Sequence, residues 1–281
     1  MKNLTLLLLM ACLCAKAQNA TDVYLFDMVS KGGQINISSG INVSKRKGYD
    51  NQPFFHPSKP LLYFASDQGG QTEIMVFDLK TGQLSRLTNT PESEYSPTVT
   101  PDGNQISCIV MRENKSQDLG LYESSGAFVR TLINNLTVGY HAWLNEDNLF
   151  LFVLGNPQTL QHYNLKTGNS KVIASSIGRS LHKVPGEQAI SFIDRSGGVH
   201  GKINKVKEDG SVEFLTNSVS TQDDICWLPD GRLLSSNGLN ILMFNPKSPR
   251  NWQPTNGPTL KNISRIAVSP NGKKLAVVVE E

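Results

Sequence analysis

One corner recurs along this chain. Its fullest form is Pro101-Asp102-Gly103, set between two β-like runs in SEYSPTVTPDGNQISCIVM (93–111). The corner residues are Pro57, Pro101, Asn145, Pro185, Pro229 and Pro270, and the steps between them are 44, 44, 40, 44 and 41 residues. Proline presets φ at the first position of a tight turn, and aspartate can bond the backbone beyond it. A second landmark, the turn glycine at Gly82, Gly126, Gly168 and Gly210, steps by 44, 42 and 42. Two independent landmarks with one period of about forty residues, and few apolar spacings suited to a helix, predict propeller blades.

Each unit reads as four strands. In the second, Ser96–Thr100 is the inner strand, Gln105–Met111 follows the corner, and Leu119–Glu123 and Phe128–Leu132 flank the glycine turn. One such sheet cannot cover both of its apolar faces, so the unit must be repeated. Five units lie at about 49–89, 94–135, 138–176, 178–218 and 221–257, and a sixth at 260–281 supplies two strands only. The missing pair is at the other end. Tyr24-Leu25-Phe26-Asp27 in TDVYLFDMVSKGGQINIS (21–38) matches Met75-Val76-Phe77-Asp78 in TEIMVFDLKTGQLSRLT (72–88), glycine turn included. The expectation is an all-β, six-bladed propeller of four-stranded antiparallel blades over 18–281, in which 21–43 completes the last blade and no edge is left open.

The first residues have a different character. MKNLTLLLLMACLCAKAQ carries Lys2, an apolar run and the small-x-small triplet Ala15-Lys16-Ala17. That is the form of a secretory signal cut after Ala17, and it is too short to span a bilayer. Leu9-Met10-Ala11-Cys12 has the outline of a lipoprotein box with Cys12 as acceptor, although Met10 fits poorly. No second apolar run could span, so a periplasmic or secreted monomer is expected. Loss of the segment takes Lys2 and Lys16 and no acid, and the net charge falls from +3 to +1. Such a balance argues against nucleic acid or an anionic membrane as main partner. Cys108 and Cys226 fall in apolar runs of distant blades and read as two buried thiols rather than a disulfide.

LTNTPESEYSPTVTPDGNQISCI (87–109) and YFASDQGGQTEIMVFDLKTGQLSRLT (63–88) resemble the Pro-Asp-Gly repeats of TolB-like propellers, with Ser66-Asp67 and Gly70 through Asp78 fitting best. The resemblance covers essentially the whole mature chain and is specific for fold more than function. It implies a periplasmic or secreted propeller that binds proteins or cell-envelope components. TolB has an α/β domain ahead of its propeller, for which this chain has no room. Related blades precede the catalytic domain of prolyl-oligopeptidase-type peptidases, but no Gly-x-Ser-x-Gly elbow occurs here.

Counting back from the corners places Asp50-Asn51-Gln52, Glu94-Tyr95-Ser96, Tyr140-His141, Arg179-Ser180, Asp223-Asp224 and Ser264-Arg265 at the channel mouth. Of these, Asn51, Glu94, Tyr95, Tyr140, His141, Arg179, Asp223, Asp224 and Arg265 are the candidate partner-binding residues. Asp67, Arg112-Glu113, Asn156, Asp194-Arg195 and Asn237 are added from the loops. Mixed charge and two tyrosines suit hydrogen-bonded recognition of a peptide or polar molecule. No catalytic residue and no cofactor is expected. The alternative is a lactonase-like or oligogalacturonate-lyase-like hydrolase or lyase with an axial Ca²⁺ or other divalent metal, with Asp50, Asn51, Glu94 and Asp223 supplying oxygens. A lyase would call for clustered histidines, and only His141 and His182 fall near the mouth. Lys45-Arg46-Lys47 reads as a solvated loop, Trp143 and Trp227 as core, and Trp252 as a partner contact.

Overall fold

The computed structural model describes residues 20–221, 224–248 and 251–281. The expected signal segment, with its Ala17 cleavage site and Cys12, and the candidate Asp223 lie outside the described residues. Strands form six sheets and no helix occurs among the described residues. From the axis outward, blade 1 is Asp50–Phe55, Leu61–Asp67, Thr72–Asp78 and Leu84–Arg86. Blade 2 is Ser93–Val99, Gln105–Met111, Gln117–Glu123 and Phe128–Ile133. Blade 3 is Val138–Trp143, Asn148–Val153, Thr159–Asn164 and Ser170–Ser175. Blade 4 is His182–Lys183, Ala189–Asp194, Lys202–Lys207 and Val212–Asn217. Blade 5 is Ile225–Trp227, Leu233–Ser236, Ile241–Phe244 and Gln253–Pro254.

The sixth blade joins the two ends of the chain. Arg265–Val268 and Lys274–Glu280 are followed outward by Thr21–Lys31 and Gln34–Ile37. Thr21–Lys31 runs antiparallel to Lys274–Glu280, with Thr21 opposite Glu280 and Asp27 opposite Lys274. A short fifth strand, Ile41–Asn42, also pairs with Thr21–Lys31, an addition to the expected four.

Period-two alternation explains why the sheets stack as a ring. Along Lys274–Glu280, Leu275, Val277 and Val279 pack against blade 5, whereas Ala276 and Val278 pack against blade 1. Every strand buried on both faces must be apolar at successive positions, as in Asn148–Val153, which is buried throughout. Apolar clusters fill the seams between blades 5 and 6, 6 and 1, 3 and 4, 2 and 3, 1 and 2, and 4 and 5. Cys108 and Cys226 are buried free thiols in two different seams, and burial pushes both well above the usual thiol value.

The corners use one local device. Gly103 N–H donates to Thr100 O (2.9 Å) and Asn104 N–H to Asp102 Oδ1 (3.1 Å), with Gly103 at φ +78°. Asp230-Gly231 and Asn271-Gly272 repeat it, through Gly231 N–H to Leu228 O (3.0 Å) and Gly272 N–H to Ser269 O (2.8 Å). Only glycine takes that left-handed angle without strain. Blade 1 lacks the glycine, and His56 Nδ1 instead accepts from Ser58 and Lys59 N–H, both at 3.0 Å. His56 is therefore a turn acceptor, and burial and then the nearby Lys59 lower its pKa.

Polar groups tie the seams at fixed places. Trp143 Nε1–H donates to Ser107 Oγ and Trp227 Nε1–H to Ser191 Oγ, each at 2.9 Å, from one inner strand to the preceding blade's second strand. Trp252, expected as a partner contact, is half-buried against its own protein. Its ring lies 5.4 Å from Phe244, its indole N–H donates to Asn217 O (2.9 Å), and it packs onto the seam between blades 4 and 5. In the basic run Lys45 and Lys47 are exposed as expected, whereas Arg46 turns inward to Ser66 Oγ (2.6 Å) and the fully buried Asp50 (3.3 Å).

Glu94 belongs to the seam between blades 1 and 2. It is fully buried, accepting from Thr90 Oγ1 (2.5 Å) and Tyr122 OH (3.0 Å), within hydrogen-bond reach of the equally buried Glu73. Glu73 is held by Arg86 and by Gln71 Nε2 (3.1 Å). Burial pushes Glu94 up to about 7; the Thr90 bond opposes this and the Glu73 charge reinforces it.

Leu275→Ala opens a void in a fully buried position of the closing strand, and urea denaturation should show a loss of about 2–5 kcal/mol. The raised Glu94 makes a second expectation. Between its ordinary 4.5 and about 7 the folded chain holds a proton that the unfolded chain has released, so stability falls as pH rises through that window. Burial lowers His141 to about 3, and His56, His162 and His182 are lowered too, which favours the fold as pH rises towards 6.5, so the Glu94 contribution is read as the difference between wild type and Glu94→Gln. Relative to Glu94→Gln, the wild-type melting temperature should fall between pH 5 and pH 8; parallel profiles for the two proteins would contradict the raised Glu94.

Candidate functional site

The six inner strands surround a cavity of about 350 Å³ on the axis. Its polar end gathers where those strands begin, at Gln52, Ser96, Tyr140, Arg179, Asp224 and Arg265. Towards the corners its walls are mostly apolar, with Phe54, Val99, Trp143, Leu181 and Ile266 beside Thr98, Thr100 and Lys183, whose Nζ donates to Leu144 O (2.7 Å).

Two inner strands are bulged at this end. Asn51 pairs with Ala65 and Phe54 with Tyr63, so Gln52 and Pro53 oppose one residue; Ser96 and Pro97 do the same between Tyr95↔Ile109 and Thr98↔Ser107. Gln52 and Ser96 both have left-handed backbone, φ +58° and +50°, and Ser96 N–H donates to Gln52 Oε1 (2.8 Å). Strain at such positions is held by the surrounding fold and concentrates at functional sites.

Tyr140, His141, Arg179, Asp224 and Arg265 line the cavity. Asn51, Glu94 and Tyr95 are not among its walls. The bulges shift the inward-facing side chain by one residue, from Asn51 to Gln52 and from Tyr95 to Ser96. Asn51 Oδ1 accepts from Gln52 N–H (2.8 Å). Tyr95 OH accepts from Thr72 Oγ1 (3.0 Å), and its ring meets Tyr49 edge-on at 6.4 Å. The signal for the shift was present in Gln52-Pro53 and Ser96-Pro97, since proline cannot join a central ladder. His182 also lines the cavity, bonded to Ser180 Oγ (3.0 Å).

Arg265 is the anchor of the polar end. Its Nη1 meets Asp224 Oδ1 (3.2 Å), its guanidinium lies 4.8 Å from the Tyr140 ring centroid, and its buried Nε has no partner. Asp224 Oδ2 accepts from Ile266 N–H (2.7 Å), so both carboxylate oxygens are engaged. Burial would raise the Tyr140 phenol, but Arg265 and Arg179, with hydrogen bonds from Gln52 and Arg179, hold it below its ordinary value. Arg179 is itself lowered, first by the like charge of Arg265 and then by burial. His141 is pushed down to about 3 by burial and stands neutral, its Nε2 2.7 Å from Ser107 Oγ.

The loop candidates serve their own turns. Asp67 Oδ1 accepts from Gly70 N–H (2.7 Å), Asp194 Oδ1 from Ser196 N–H (2.7 Å) and Asn237 Oδ1 from Asn240 N–H (2.8 Å). Arg112 pairs with Asp118 (2.8 Å) and Glu92 (3.7 Å). Of the described oxygens considered for an axial cation, those of Asp50 and Glu94 are committed to seams. Among the described residues no group of three or more His, Cys, Asp or Glu could hold a metal ion.

No protein-family model and no curated protein matches the sequence. Solved structures do. A putative TolB from Agrobacterium tumefaciens superposes with TM-score 0.68 at 14% identity, over 94% of this chain and 99% of that one. TolB from Acinetobacter baumannii gives 0.61 at 14%, over 94% of this chain and 64% of that one. A gluconolactonase from Xanthomonas campestris gives 0.66 at 11%, over 94% and 98%. No helix among the described residues is long and apolar enough to cross a membrane. By its blades, its corners and its closure from the N-terminal strands, the chain has the fold of the TolB-like six-bladed propellers.

Proposed function

We propose that this propeller is a secreted or periplasmic recognition module that binds a protein or cell-envelope component through its axial channel. The observation that carries this reading is the polar end of the cavity, built from the inner-strand ends of six blades and two left-handed bulges. A polar cluster over apolar walls, in a cavity of this size, is the usual form of a site that orients a bound group. The likeness to TolB propellers supports a protein partner.

The gluconolactonase likeness and the lowered Tyr140 phenol favour a second reading, a hydrolase using the same cavity. A divalent cation fits poorly at the polar end. Asp224 is the one carboxylate among the described lining residues, both its oxygens are engaged, and two guanidiniums stand beside it.

Thr98→Trp places a large ring in the cavity. Capture of a partner from envelope extracts by the immobilised protein should be lost with this variant while its melting temperature stays near that of wild type. Unchanged capture would remove the channel as the recognition site. Hydrolysis of gluconolactone above the uncatalysed rate, abolished by Tyr140→Phe, would favour the second reading instead.

A further inference from the structure

Resting on the axial-recognition reading, we propose that the channel takes the C-terminal carboxylate of a peptide chain whose last residue is apolar, with Arg179 as its main cation. The charge balance at the polar end leads there. Two guanidiniums, Arg179 and Arg265, face one carboxylate, Asp224, whose oxygens are taken by Arg265 and the Ile266 N–H. His182 is held towards its neutral form by burial. Among the described residues at this end, that leaves the two guanidiniums with one carboxylate between them, in a confined space. Arg179 is the more exposed of the two guanidiniums; the like charge of Arg265 acts on it most strongly, Tyr140 and Asp224 oppose that, and its Nη2 donates to Ser264 O (3.5 Å). Arg265 adds an unpartnered Nε on a nine-tenths buried side chain.

A guanidinium presents its donors in a planar fork that matches a carboxylate, and the pair is stronger where water is excluded. The walls beyond the cluster, including Phe54, Val99 and Leu181, ask for an apolar group behind the anion. A peptide suits the rest. The bulges at Gln52-Pro53 and Ser96-Pro97 take inner-strand backbone out of the ladder beside the cluster. A space of about 350 Å³ admits one or two residues of a chain end.

Calorimetric titration with three peptides tests the assignment: acetyl-Ala-Ala-Leu as free acid, the same peptide as its amide, and acetyl-Ala-Glu-Leu amide. The free acid should bind wild type about tenfold or more tighter than either amide, the size expected for a desolvated charge-assisted pair. Arg179→Gln should erase that preference and Arg179→Lys should keep part of it, with melting temperatures unchanged because Arg179 is accessible. Equal binding of acid and amide, or no binding at millimolar peptide, overturns the proposal. So does equal binding of the glutamate peptide, which would move the anion to a side chain. Envelope capture that is lost with Thr98→Trp but indifferent to Arg179→Gln would sink the carboxylate and leave axial recognition standing. Capture unaffected by Thr98→Trp would sink both.

Discussion

Each sheet of this protein is apolar on both faces, and that constraint organises the rest. A strand such as Lys274–Glu280 cannot be satisfied by one neighbour, because Leu275, Val277 and Val279 face one way and Ala276 and Val278 the other. Each fully buried aliphatic side chain contributes about 1.5–3 kcal/mol relative to exposure, so an unstacked face is a large loss. A linear array would leave two such faces in water. Pairing Thr21–Lys31 with Lys274–Glu280 removes both at once, since the blade made from the two ends packs against blade 5 on one side and blade 1 on the other.

Most polar side chains that enter the seams have at least one partner, although Asp50 Oδ2, Glu73 Oε2 and Glu94 Oε2 have none. The Trp143–Ser107 and Trp227–Ser191 bonds satisfy an indole N–H that would otherwise be stranded. Acids in the seams follow a harder rule, because a buried carboxylate is costly unless neutralised or hydrogen-bonded. Asp50 meets Ser66 and Arg46; Glu73 meets Arg86; Glu94 lies within reach of Glu73 and keeps its proton to higher pH. These acids hold blades together and leave the axis to other residues.

The axis is where the packing rule relaxes. Inner strands diverge around a central space, so their first residues have neighbours across a cavity rather than across a seam. There the backbone departs from regular strand at Gln52 and Ser96, at a cost of about 1–3 kcal/mol each, and the Ser96 N–H to Gln52 Oε1 bond secures one bulge against the other. There also the two arginines stand close enough to oppose each other. A fold assembled from near-identical units becomes specific at its centre, where six different side chains meet.

Much of the architecture could be read from residues in order. The Pro-Asp-Gly corner is a contiguous device whose bonds span three or four residues, so Pro101-Asp102-Gly103 announces its own turn; Tyr24-Leu25-Phe26-Asp27 announces a blade strand by likeness to Met75-Val76-Phe77-Asp78. The candidate site was legible only in part. Tyr140, His141, Arg179, Asp224 and Arg265 fall on the axis as counting suggests, but Asn51 and Tyr95 give way to Gln52 and Ser96, and Glu94 turns into a seam. Counting assumes regular alternation, and one bulge reverses which side chain faces inward. Trp252 escaped for a related reason, its indole N–H meeting Asn217 O of the preceding blade. Turn chemistry is settled between adjacent residues, whereas the fate of a charge or an aromatic ring depends on what the neighbouring blade, some forty residues away, brings against it.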